Sequence, residues 1–222
     1  DGVVTLYLDD IEENVTVSGR AYYSRDSVKP TGTVKLNTSS RIAFLNGYAA
    51  GTFRPEANMT RAEAVVMLYR LSDVENVSNT GDIFIDVPYN MWCAGEINAF
   101  ANAGIIDVTS YFHPNQYITR AEFVEMLYRL MGSPSYSRGT LRFSDVTGAT
   151  NEDAIYYAVS RGWVNGYADG TFRPFSYIAR SEVAALMTRL LNRTSGGSGV
   201  SYKDVPYTYW AYRYIQLASS YI

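Results

Sequence analysis

Arg61, Arg120 and Arg180 stand 59 and then 60 residues apart, each second in a four-residue block. The blocks are Thr60-Arg61-Ala62-Glu63, Thr119-Arg120-Ala121-Glu122 and Ala179-Arg180-Ser181-Glu182. A guanidinium is a rigid fork of donors that matches a carboxylate. The block around it reads as a helix start. Thr-x-x-Glu fits the capping box, in which the hydroxyl takes the third amide and the glutamate reaches back to the cap amide. Ala179 has no hydroxyl, so the third helix is expected to lose about 1 kcal/mol of capping. A cation in a first helical turn opposes the macrodipole, at a cost of about 0.3–1 kcal/mol, yet all three blocks carry one. One reading is anion binding, with the guanidinium beside free helix amides taking a carboxylate. The other is an arginine stem laid on apolar surface or paired with a neighbouring aspartate.

A second set of groups recurs with the arginines. Asp86, Asp145 and Asp204 each follow an aromatic residue by two places and precede a valine. They read either as caps of a short turn or as binding groups. Trp92 and Trp210 come six residues after Asp86 and Asp204. A tryptophan face there either stacks on a sugar ring or fills a core. The remaining copy has no tryptophan near Thr150. Gly47–Pro55 (GYAAGTFRP) returns as Gly166–Pro174 (GYADGTFRP), a tight loop in which glycine supplies the unusual backbone angle and aspartate an Asx turn. The copy between them, IIDVTSYFHPN, has lost the pattern.

Other chemistry lacks its residues. His113 is the one histidine and Cys93 the one cysteine, so neither a zinc cluster nor an internal disulfide can form. No serine elbow and no phosphate-binding glycine loop occurs. A calcium loop would need more alternating carboxylates. The chain is therefore expected not to be an enzyme and to need no metal or cofactor. A net charge of −3 argues against a broad nucleic-acid footprint. No apolar run approaches the roughly 20 residues of a membrane span. Asp1 in place of methionine implies a piece of a longer protein.

The elements that must position these groups are helices. In the first block the apolar face is Ala62, Val65, Leu68 and Tyr69, a helical spacing. After Asp86 it is Cys93, Ile97, Phe100 and Ala101, with Gly104 as the stop. Residues 143–164 copy this second helix, stopping at Gly162, and residues 202–222 copy it again. Residues 1–40 differ: VVTLYL and VTVSGRAYY read as strands, and KPTG as a turn. If the D-V helix is called A and the TRAE helix B, the chain runs B, A-B, A-B, A. A period near 60 implies stacked units too small to bury a core alone. A ring, with the last A helix on the first B helix, would bury both unpaired faces.

These motifs together resemble the S-layer homology family: GYxDGTFRP, TRAE before an aliphatic helix, and F-x-D-V-P followed by W-A. The resemblance covers residues 42–222 and implies a mainly α fold, a pseudo-threefold assembly of three helix-loop-helix repeats, with a short N-terminal β segment. The expected division is 1–40 as β segment or tail of an upstream β domain, then 41–222. Its repeats are 41–75 completed by 202–222, 84–131 and 143–193. The resemblance implies a non-covalent cell-surface anchor, extracellular, at the bacterial cell wall or S-layer. It would bind secondary cell-wall polysaccharide, pyruvylated, in grooves between repeats, and carry the upstream domains of a longer secreted protein. Arg61, Arg120, Arg180, Trp92, Trp210, Asp86, Asp145 and Asp204 are the carbohydrate-binding candidates. A module for self-association in a surface lattice is the alternative. The B-first order departs from the family's usual three A-B repeats.

Overall fold

Both threonine blocks become capped helices for the expected reason. The computed structural model describes residues 36–37, 42–75, 82–136, 142–146, 148, 151–195 and 200–220. Six helices occur among them: α1 (Arg61–Arg70), α2 (Ala94–Asn102), α3 (Arg120–Leu130), α4 (Glu152–Ser160), α5 (Arg180–Leu190) and α6 (Tyr212–Ala218). Thr60 and Thr119 each accept from the third amide, while Glu63 and Glu122 accept from the cap amides at 2.8 Å. At α5 only the glutamate half survives: Glu182 accepts from the Ala179 amide at 2.9 Å. Helices α2 and α4 end at Gly104 and Gly162, with φ of 69° and 71°, the left-handed stop that glycine adopts without a Cβ clash.

Each B helix packs on the A helix that follows it: α1 on α2, α3 on α4, α5 on α6. The expectation that the last helix would lie on the first B helix is corrected here, because α6 pairs with α5. The apolar face of α1 is already covered by α2. Loops close the ring instead. Met59 N–H donates to Ile178 O (3.1 Å), Ile178 N–H to Ile118 O (3.1 Å) and Ile118 N–H to Met59 O (2.9 Å). This closed triangle joins equivalent residues of the three blocks, so every repeat both gives and receives one bond. Phe53, Phe112 and Phe172, one from each loop, are almost fully buried around it.

The C-terminal segment lies against the first loop. Phe44 and Leu45 N–H donate to Ala218 O, and Lys203 N–H to Gly51 O. Gly47 N–H donates to the Tyr202 hydroxyl at 3.0 Å, a close approach that leaves no room for a Cβ at residue 47. Arg193 spans the seam, donating to Leu217 O (3.1 Å) and Ile42 O (2.7 Å) with its guanidinium over the Phe44 ring. Among the described residues no sheet forms; extended contacts are isolated bridges, one of them between Leu36 and Ser72. The strands expected within residues 1–40, VVTLYL and VTVSGRAYY, lie outside the described residues.

Candidate functional site in the grooves between repeats

The arginines reach across repeats. Arg61 Nε donates to Phe112 O (2.9 Å) and Nη1 to Glu122 Oε1 (2.6 Å). Arg120 does the same with Phe172 O (3.0 Å) and Glu182 (2.6 Å). Arg180 donates from Nε to Phe53 O (3.0 Å) and from Nη2 to Asn46 O (2.7 Å). Each guanidinium also stacks over the phenylalanine whose carbonyl it holds.

The idea of free amides beside these arginines is corrected by the same geometry. The first two amides of α1 donate to Gln116 O and Pro114 O, those of α3 to Ser176 O and Pro174 O, and those of α5 to Ala57 O and Pro55 O. The helix ends are sealed by the neighbouring loop. The arginine partners are glutamates and carbonyls rather than aspartates.

The three aspartates act as caps, but across the loop rather than on a local turn. Asp86 takes the amides of Phe112 and His113 at 2.8 and 2.7 Å. Asp145 takes those of Phe172 and Arg173, both at 2.8 Å. Asp204 takes those of Phe53 and Arg54, at 2.8 and 2.7 Å. The second residue of each pair has a left-handed backbone, with φ of 57° at Arg54, 60° at His113 and 58° at Arg173. Non-glycine residues rarely take that conformation without surrounding bonds that impose it, and the aspartate supplies them. Burial opposes the Asp204 charge. The Phe53 and Arg54 amides and the nearby Arg54 cation outweigh it and hold its carboxyl below the usual range. Asp169, in the Gly166 loop, closes an Asx turn on Thr171 and pairs with Arg173 at 3.0 Å. With both partners its carboxyl is lowered to about 2.

Grooves open between consecutive repeats. One, of about 160 Å³, is lined by Arg120 and Glu182, by Trp163 and Tyr167, by Arg189, and by Trp210. Trp210 is 55% exposed and tilts against Tyr209 and Tyr214. Arg189 lies over the Tyr214 ring and donates to its hydroxyl at 3.2 Å. Burial and the Glu182 carboxylate raise the Tyr167 pKa against the opposing pull of Arg120. The equivalent groove one repeat earlier, about 240 Å³, has Arg61, Glu122, Glu125, Arg129, Asp107 and Asn151. Asn151, six residues after Asp145, takes the place of tryptophan. Trp92, 62% exposed, stands at the same distance after Asp86.

Among the sequence candidates, Arg120 and Trp210 line one groove together, and Arg61 lines another. The three aspartates sit behind the loops. Sequence reasoning missed Arg129 and Arg189, with Arg70 the third of that set. The signal was present, since each stands nine residues after its block arginine.

The S-layer homology domain model matches residues 43–65, 86–124 and 142–184. A cellulosome-anchoring protein of Acetivibrio thermocellus is 35% identical over 188 residues, covering 79% of this chain and 42% of that protein. Cell surface glycoprotein 1 of the same organism is 35% identical over 185 residues, 77% of this chain and 8% of that protein. An S-layer protein of Bacillus licheniformis is 29% identical over 142 residues, 62% of this chain and 16% of that protein. The chain thus spans less than half the length of each of these relatives.

Proposed function

Because this chain belongs to the S-layer homology family, we propose that it anchors a longer secreted protein to the bacterial cell surface by holding cell-wall polysaccharide in the grooves between its repeats. The observation that carries this reading is the groove of Arg120, Arg189 and Trp210. It pairs an exposed aromatic face with guanidinium, carboxylate and phenol groups at its rim. A sugar needs both, since its C–H face stacks on an aromatic ring while its hydroxyls exchange hydrogen bonds. The arginines add a preference for an acidic sugar, such as one bearing a pyruvyl ketal. The two relatives at 35% identity are named for anchoring and for the cell surface, which supports a non-catalytic role outside the cell.

The test is a pulldown with purified wall polymer, wild type against Trp210→Ala. Polymer retention that drops in the variant while its melting temperature is unchanged supports the reading. Wild-type protein left in the supernatant refutes it. The lattice alternative rests on a different observation. Phe175 is 79% exposed, and Tyr117 and Tyr177, in edge contact at 5.4 Å, stand beside the central triangle. Sedimentation without polymer decides it, because self-association through this patch would vanish in Phe175→Ser.

A further inference from the structure

The grooves place equivalent guanidiniums in unlike company. Arg129 is gripped from inside the chain: Nη1 lies 2.7 Å from Asp107 Oδ1 and Nε 2.7 Å from Glu125 Oε1. Both carboxylates line the groove beside it. Burial disfavours the Arg129 charge, but the bonds to Asp107 and Glu125 more than offset that and hold its pKa above the ordinary value. The matching Arg189 is held by neutral oxygens, the Trp163 carbonyl at 3.4 Å and the Tyr214 hydroxyl at 3.2 Å. Asn165 and Ala185 stand where Asp107 and Glu125 would be, and Asn46 and Val66 fill those places in the first repeat. The Arg129 groove therefore carries two arginines with three carboxylates, and the Arg189 groove two arginines with one.

We infer that Asp107 and Glu125 are specificity-determining residues that close the Arg129 groove to acidic ligands, leaving carboxylate-bearing sugars to the Trp210 groove. The inference rests on the polysaccharide reading for its ligand, but not for its electrostatics. An incoming carboxylate at Arg129 must displace one already bound at charge-assisted distance and sit beside the other two. At Arg189 it displaces only neutral partners. The loss of tryptophan at Asn151 falls on the same groove, so the stacking face and the anion site are missing together.

The experiment follows the arginine Nε–Hε nuclear magnetic resonance signals while sodium pyruvate, and separately a hexoside carrying a 4,6-pyruvyl ketal, is added. The variants are Asp107→Asn and Asp107→Asn/Glu125→Ala, which install side chains already present in the third repeat. In the wild type, Arg189 should shift and Arg129 should stay still at tenfold higher pyruvate. In the double variant Arg129 should respond within about threefold of Arg189, with Asp107→Asn alone in between. An Arg129 that responds in the wild type overturns the inference, as does one that stays silent in the folded double variant. A clear pyruvate contrast with no shift of Arg189 or the Trp210 indole by the ketal hexoside supports the electrostatic closure and removes the polysaccharide reading instead.

Discussion

Arg61 Nη1 lies 2.6 Å from Oε1 of Glu122, a residue 61 positions further along the chain. Glu122 has already spent its other oxygen, which caps its own helix at the Thr119 amide. One carboxylate thus starts a helix and receives the guanidinium of the previous repeat. Arg120 and Glu182 repeat the device at the same distance. At the third junction Arg180 keeps the Nε bond to its loop phenylalanine, Phe53 O, and the Asn46 carbonyl replaces the glutamate.

Burial separates the two ion pairs. The Arg120 and Glu182 side chains are 7% and 24% exposed, those of Arg61 and Glu122 19% and 39%. Removing one member of a buried pair leaves an uncompensated charge and costs about 3 kcal/mol, whereas a well-solvated pair is worth about 1 or less. Arg120→Ala should lower stability by about 2–4 kcal/mol and Arg61→Ala by roughly half as much. Urea unfolding of the two variants measures this directly. Identical midpoints would mean that the guanidiniums do not brace the repeats. Any binding assay on these arginines must be read against the folding loss.

Much of this architecture is legible in the chain because it depends on local patterns. The capping boxes, the stops at Gly104 and Gly162, and the buried positions Cys93, Ile97, Phe100 and Ala101 follow from neighbours within a few residues. What is not legible is reach. Asp86 reads as a local cap, and it is a cap, but for amides 26 and 27 residues away. The left-handed backbone of Arg54, His113 and Arg173 leaves no local signature because a distant carboxylate imposes it. The pairing of α6 with α5 is not legible for the same reason: the number of unpaired faces does not fix which neighbour covers which face.

Asp204 gives a pH signature. Its carboxyl is below the usual range when folded, against about 3.9 when unfolded. A lowered pKa contributes stability that is fully present above about pH 4 and is lost as pH falls through the folded value. Asp204→Asn keeps one acceptor but points an amide donor at a second N–H, costing about 1 kcal/mol at neutral pH for this partly exposed site. The variant should therefore be less stable at pH 7 and less acid-sensitive than wild type as pH falls below about 4. Parallel stability curves for the two proteins would rule out the carboxylate as the source.

Ending the chain at residue 201 removes Val205, Ala211, Ile215, Leu217 and Ala218, all buried. It also uncovers the face of α5 that α6 packs upon. Burying one such large aliphatic side chain contributes about 1.5–3 kcal/mol, so the sum rivals the 5–15 kcal/mol of a typical domain. Calorimetry of the truncated chain should show no cooperative transition near that of the parent. A parent-like melting curve would mean that the first repeats are stable without the closing segment.

The ligand's charge can be tested on the polymer itself. With net charge −3, the chain has no overall attraction for an acidic polymer, so any preference must come from local donors. In the Trp210 groove the donor with only neutral partners is Arg189. A charge-assisted bond contributes about 1.5–3 kcal/mol, compared with about 1 for a neutral hydroxyl. Polymer stripped of its pyruvyl groups should bind wild type at least tenfold more weakly, since about 1.4 kcal/mol is a factor of ten. In Arg189→Gln the difference between intact and stripped polymer should shrink to about threefold or less, because the variant has lost the group that tells them apart. Trp210→Ala should instead weaken both polymers alike, since stacking does not depend on the ketal. Calorimetric titration of the three proteins against both polymers reads all six affinities. Equal binding of intact and stripped polymer by wild type would leave the groove a neutral-sugar site, with Arg189 serving only to position Tyr214.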